Sequence, residues 1–360
     1  MKHILPFFVA LLLSSCMDDA TLWDFDRPDI PVASQGVFVV NEGNYMYGNA
    51  SLVYYDIENG ESWQDVFFNT NVLPLGDVAQ SMVIRDSLGY IVVNNSGRIY
   101  VIDVNTFELV GKITGLTSPR YVHFINDDKA YVSDLYARSI GIINPLTYEI
   151  TGSINVAREG SGFYQHSTEQ MLQFGSYVFV NCWSFDNSIL VIDSETDTWI
   201  DTIEVLMQPN SMVLDKDGKL WVLSDGGFPG SPYGHEAPGL LRINTETQQI
   251  ERTWLFEKGG RPSSLTINGS GDTLYYINKD VYRMATTNSA EPEVFINSPY
   301  PETHLGGFSA LGVDPGSSEV YVADAIDYMQ PGTVYRYSPD ALLLDTFSAG
   351  IIPGALAFKK

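Results

Sequence analysis

One short β-rich run returns seven times along this chain. The copies read VFVV, YIVV, AYVS, VFVN, LWVL, LYYI and VYVA, centred on Val39, Val92, Val132, Val180, Val222, Tyr276 and Val322. Neighbouring copies lie 40 to 54 residues apart. A period of that size marks a repeat architecture, in which each unit buries its apolar face against the next. Four copies carry a second signature downstream: IDVNT from Ile102, INPLT from Ile143, IDSET from Ile192 and INTET from Ile243. Asp or Asn after a strand bonds the backbone just ahead and starts a tight turn, and Thr suits the strand that follows. Each repeat therefore reads as four short strands joined by turns, the content of one propeller blade. The predicted fold is all-β, a seven-bladed β-propeller. Six or eight blades follow only if a degenerate copy is merged or split, and the stretch 282–297 is the least regular.

The two ends of the chain show how such a ring closes. Most repeats open with a strand of their own: VAQSMVI from Val78, SPRYVHF from Ser118, QPNSMVL from Gln208, RPSSLTI from Arg261. The first repeat has none. The missing strand stands at the far end as IIPGALAF, residues 351–358. The C-terminal strand is predicted to pair with residues 37–40 and close the ring, which leaves only short, protected edges. The uninterrupted repeat argues for one domain over residues 36–360, and 44% apolar residues can fill a large core. Helical periodicity is nearly absent.

Residues 1–15 read as an address. Lys2 precedes an apolar run at 4–13, and Leu13-Ser14-Ser15-Cys16 follows. Ten apolar residues are too few to span a bilayer and fit a signal segment. The tetrapeptide resembles a bacterial lipobox, in which the Cys is lipidated and becomes the first residue. The expected organisation is a lipoprotein signal peptide at 1–15, a lipidated acidic tether at 16–35 and the propeller at 36–360. The rival reading is an ordinary signal peptide with a chance Cys16. Met17-Asp18-Asp19 resembles the signal that sends lipoproteins to the outer surface, so the expected location is the cell-surface side of an outer membrane. With Cys16 acylated, Cys182 is the only thiol left and no disulfide framework is expected. Cys182 ends a strand in VFVNCW and reads as a buried small side chain, with no His at a recognisable spacing.

Twenty basic residues against 44 acidic ones give a formal charge of −24. Such a surface repels nucleic acid and favours neutral or cationic ligands. In a propeller the loops between strands two and three, and those linking blades, gather at one mouth of the central channel. Here those loops are the unusual parts. Residues 41–50 (NEGNYMYGNA) offer Asn41, Glu42, Asn44, Tyr45 and Tyr47. Further loops offer Asn94 and Asn95; Asp134, Tyr136 and Arg138; and Trp183 and Phe185. The longest, residues 225–238, brings Asp225, Phe228, Tyr233 and His235, and the seventh repeat adds Tyr328. The blade links bring Gln80, Arg120, Asn210 and Arg261, together with His166 and His304. Aromatics, carboxamides and a few charges on one face suit a large, amphipathic, near-neutral ligand: rings pack on its flat faces and amides bond its edge. Asn, Asp and Gly also populate turns for backbone reasons alone.

Catalytic motifs are missing from the sequence. There is no GxSxG elbow, HExxH pair, EF-hand loop or phosphate-binding glycine loop. Asp215-Lys216-Asp217-Gly218 reads as a hairpin turn, and Gly259-Gly260 precedes a strand rather than a helix. No catalytic residue, resident cofactor or metal is expected. A rim metal site from Glu42, Asn94, Asp134 and Asp324 stays open as an alternative.

The lipobox, the acidic start, the opening GVFVVNEGNYMYGNASLVYYD and the later YVxD and IDxxT blades together resemble the BtuG family. Those are surface lipoproteins built on a propeller similar to the YncE type. The resemblance covers essentially the whole mature chain, and its opening stretch is the more specific part. It implies tight capture of vitamin B12 (cobalamin) and related corrinoids as transported ligand, and hand-over to a TonB-dependent outer-membrane transporter, BtuB, as partner. Two other classes remain beside it: a surface glycan-binding or adhesive propeller, and a propeller enzyme of the lactonase or lyase type.

Overall fold

The middle strand of each repeat is buried on both faces, which explains why it reads as a continuous apolar run rather than an alternating one. Gly36–Asn41, Tyr177–Cys182 and Lys219–Ser224 are almost wholly buried along their length. In the computed structural model, which describes residue 30 and residues 32–158, 166–287, 290–301 and 304–360, these strands build seven four-stranded antiparallel sheets. Blade one holds residues 36–63 and blade two 79–114. Blades three to seven hold 119–155, 168–204, 209–255, 263–296 and 308–351. The blades form a closed ring, a seven-bladed β-propeller. Residues 1–29, with Cys16 and most of the expected tether, lie outside the described residues.

Closure follows the predicted route. The last strand, Pro353–Lys359, lies innermost in blade one and pairs with Gly36–Asn41, setting Val37 opposite Phe358 and Val39 opposite Leu356. It starts two residues later than expected, because Ile351 still belongs to the outer strand of blade seven, Leu343–Ile351. Only Ile352, in the left-handed region at φ 54°, separates the two. Leu356 and Phe358 pack into the cluster of Val37, Val39, Tyr321, Ala323 and Phe347 between blades seven and one.

The core is divided into such clusters between neighbouring blades. Cys182, Val180 and Leu190 of blade four meet Tyr131 and Ile140 of blade three. One element escaped the sequence: a helix at Val66–Asn71, which buries Val66 and Phe67. Phe67 packs 4.9 Å from the Tyr100 ring. Six residues are too few to show a helical period.

Candidate functional site

All seven inner strands break register at their first step, and always at the same end of the channel. The bulge places one residue of each blade just inside the mouth: Gln80, Arg120, Glu169, Asn210, Ser264, Ser309 and Gly354. A bulge re-aims a side chain that regular pairing would turn along the sheet. Together the inner strands surround an axial cavity of about 700 Å³. All residues of this ring but Ser309 line it, together with Met82, Val122, Leu265, Leu311 and Leu356. The ring is lopsided. Blades two to five contribute long polar side chains, while blades six, seven and one contribute two serines and a glycine.

A buried charge cluster occupies the crowded half. Arg120 Nε donates to both oxygens of Glu169 at 2.8 and 2.9 Å, and its Nη1 donates to Gln80 Oε1. Glu42 shares the field of the same guanidinium. Its side chain leans over Gly354: a Cβ there would sit 2.5 Å from Glu42 Oε1, so any larger residue would push the Glu42 carboxyl aside. Burial pushes the Glu42 and Glu169 carboxyls above their ordinary range, and Arg120 pulls both part of the way back. Two carboxylates therefore share one guanidinium. An arrangement of this kind fixes geometry more than it adds stability.

Beside the cluster, two loops 42 residues apart in the chain meet. Trp183 Nε1 donates to Asp225 Oδ2 at 3.1 Å, and Asp225 Oδ1 accepts the Gly227 amide at 2.8 Å. Burial pushes the Asp225 carboxyl up. Phe185 lies 5.1 Å from Tyr233 and 6.0 Å from Phe228, ring to ring. Phe228 and Tyr233 stay 41% and 39% exposed. A bridge between Gly227 and His235 cinches the long loop at its base. The result is an open aromatic shelf next to the axial cavity, whose wall includes Trp183, Asp225 and Phe228.

The remaining candidates divide by position. Gln80, Arg120, Asn210 and Arg261 line the cavity. Tyr45, Tyr47, Tyr136 and Tyr328 stand exposed on the rim loops, as do Asn95 and Arg138. Asn44 donates to the Tyr328 carbonyl at 2.8 Å, tying the loop of blade one to that of blade seven.

Three expectations need correction. Asn41 is fully buried, donates to the Val39 and Ser51 carbonyls, and accepts from the Gly350 amide. Asn94 is buried and donates to Ser118 Oγ and the Pro119 carbonyl. Asp134 is buried and accepts the amides of Thr117, Ser118, Tyr136 and Ala137. Buried and bonded to neighbouring loops and strands, these three hold the mouth in place rather than facing a ligand. The rim set Glu42, Asn94, Asp134 and Asp324 is not brought together as metal ligands. Among the described residues, the one cluster with ligand spacing is His166, Cys182 and Asp186. Cys182 is buried as expected and burial raises its thiol well above the ordinary value, yet a histidine does stand beside it.

Sequence reasoning missed Glu169, Gln170, Gln208 and Ser264, which also line the cavity. The signal was there. Setting STEQMLQF under SPRYVHF and QPNSMVL aligns Glu169 with Arg120 and Asn210.

Fold and mouth define a class: closed seven-bladed propellers whose axial channel opens between built-up loops at one end. Within it, the chain belongs to the family described as a domain of unknown function, DUF5074, which it matches over residues 35–338. No curated protein matches the sequence. Solved structures with the same fold include a quinoprotein alcohol dehydrogenase-like protein from Bacteroides thetaiotaomicron. It is 16% identical at a TM-score of 0.67, over 91% of this chain and 79% of that one. The periplasmic gluconolactonase of Pseudomonas aeruginosa is 11% identical at a TM-score of 0.64, over 91% and 99%. Hydrazine synthase of Kuenenia stuttgartiensis is 13% identical at 0.62, over 78% and 89%. At these identities the likeness is one of fold alone.

Proposed function

We propose that the protein captures a corrinoid, vitamin B12 or a relative, at the channel mouth and passes it to a TonB-dependent outer-membrane transporter of the BtuB kind, without catalysis. The observation that carries this reading is the open shelf of Phe185, Phe228 and Tyr233 set beside a polar-ringed cavity. A corrinoid is a broad disc rimmed by carboxamides, with a bulky tail. Rings receive the disc, amides and carboxylates receive its edge, and rigid blades supply the platform at little ordering cost. Arg120 is already paired with Glu169, and Asp225 is held by the Trp183 indole, which favours holding over turnover. Exposed Tyr45, Met46, Tyr47, Tyr328 and Met329 around the same mouth fit an apolar contact with a partner protein. Anchoring through a lipidated Cys16 on the outer membrane completes the reading. Cys16→Ala is then expected to move the protein from the membrane pellet to the soluble fraction.

The decisive experiment mixes purified protein with cyanocobalamin and follows the red absorbance through gel filtration. Co-elution with the protein is expected. Free pigment alone would remove the corrinoid, and the same sample then tests the two rivals: glycan binding on an array, and turnover of a lactone such as the substrate in the Pseudomonas enzyme's name.

A further inference from the structure

A second cluster lies off the axis, where blade four meets blade three. His166 precedes the inner strand of blade four, Cys182 ends its second strand, Tyr177–Cys182, and Asp186 sits in the turn that follows. One nitrogen of His166, the Cys182 sulfur and one Asp186 oxygen lie within 4.8 Å of one another, and all three residues are buried. His166 Nδ1 and Asp186 Oδ2 are 2.7 Å apart.

Each of the three is oriented from outside the cluster. The Cys182 thiol donates to the Val180 carbonyl at 4.0 Å. Asp186 Oδ1, the oxygen turned away from His166, accepts the Asn187 amide at 2.8 Å. The His166 ring stands edge-on to Trp199 at 5.2 Å. Outer contacts of this kind fix ligand direction in metal sites. Burying a thiol, an imidazole and a carboxylate together is unfavourable unless something shares their charge. Among the described residues the cation at hand is Arg158, whose Nη1 reaches Asp186 Oδ2 at 3.2 Å from a partly exposed position.

We propose that His166, Cys182 and Asp186 form a site for a divalent transition-metal ion, zinc by its donor set. Mixed sulfur, nitrogen and oxygen donors suit zinc, whereas calcium and magnesium take oxygen alone. The thiol gives its proton to solvent as the metal–sulfur bond forms. A fourth position falls to water on the side where Arg158 approaches. Asp186 shares its loop with Trp183 and Phe185, so a bound ion pins half of the aromatic shelf. The site does not depend on which ligand the shelf receives.

The test uses the protein carrying Cys16→Ala, in which Cys182 is the sole thiol. Cobalt(II) is titrated in and the near-ultraviolet sulfur-to-cobalt absorption is followed. A saturable band at one equivalent, removed by zinc, is expected. Cys182→Ser should abolish the band, and His166→Gln or Asp186→Asn should weaken cobalt binding by about tenfold or more. Arg158→Ala takes away a competing cation from a partly exposed position and should tighten binding several-fold. That variant keeps the test alive if Cys182→Ser does not fold. No band in the parent protein overturns the proposal. So does a band unmoved by His166→Gln and Asp186→Asn, or weaker binding in Arg158→Ala.

Discussion

The two ends of the propeller follow different rules. At the end away from the mouth, one turn is used again and again. Asp56, Asp103, Asn144, Asp193, Asn244 and Asp314 each accept the amide two residues on, at 2.7 to 3.0 Å. In five of these turns the fifth residue's amide closes back on the first carbonyl. That fifth residue is left-handed, and in blade one it is Gly60, while Phe107, Tyr148, Gln248 and Ser318 bear the same conformation elsewhere. At the mouth the loops differ widely in length and composition, from the tight turn at 94–97 to the aromatic loop of residues 225–238. The periodic end builds the scaffold. The aperiodic end is where a ligand can be told from any other, because specificity needs features the repeat does not supply.

The largest effect should come from the one place where the scaffold itself depends on a distant partner. Deleting residues 352–360 removes the inner strand of blade one and opens two sheet edges. It also strips Phe358 from its 5.4 Å contact with the Tyr321 ring. Loss of the cooperative thermal transition is expected. A truncated protein that melts with the parent would show that the ring holds without its closure, and would erase the contrast between the two ends.

Next in size is an effect confined to the mouth. Phe228→Ala with Tyr233→Ala removes two rings of the shelf while the blades stay intact. An aromatic anchor contributes about 2 kcal/mol to binding. Cyanocobalamin affinity, measured by surface plasmon resonance, should fall by about two decades or more with the melting temperature nearly unchanged. Unchanged affinity in a protein that still binds the pigment would move the ligand off the shelf and into the axial cavity.

The difference between the ends also explains what could be read in advance. Seven apolar runs, the Asp/Asn turns and the displaced last strand were legible because they repeat or fail to repeat on schedule. The ring of bulges was not. A bulge breaks the period-two pattern that marks a strand, and STEQMLQF lacks the proline that opens SPRYVHF and QPNSMVL. The rim loops were located correctly, yet Asn41, Asn94 and Asp134 look in sequence just like ligand contacts. Whether an amide or carboxylate bonds its own backbone or faces outward is decided by tertiary geometry. The approach of His166 to Cys182 is invisible for the same reason: it comes from the turn of one blade around a strand, not from spacing.

Two aspartates test the two kinds of turn directly. Asp134, at the mouth, is buried and accepts four amides. Asp193, at the far end, supports an exposed turn through the Glu195 amide. Asp134→Ala leaves buried donors unpaired and should cost about 2–3 kcal/mol in urea unfolding, against about 1 kcal/mol for Asp193→Ala. Equal losses would mean that the mouth loops are no more dependent on their internal bonds than the generic turns.

The smallest expected effect is the most specific. Glu42 and Glu169 face one guanidinium, Arg120, and burial raises both carboxyls. A raised folded-state value means that the folded chain holds the proton more tightly than the unfolded chain. The stability linked to Glu42 is then full below the ordinary value of 4.5 and is lost as pH rises through the raised one. Glu42→Gln removes that loss and leaves Arg120 and Glu169 as a neutral pair. The variant should melt slightly above the parent at neutral pH, and the gap should close below pH 4.5. The same sign holds for Glu169, whose carboxyl is also raised, but Glu169→Gln should gain less than Glu42→Gln, since both Glu169 oxygens accept from Arg120. Thermal melts across the acid range decide it. A lower melting temperature for Glu42→Gln at neutral pH would show that Arg120 holds the Glu42 carboxylate more strongly than burial opposes it, and the mouth would then be a three-membered ion cluster rather than a pair with a strained neighbour.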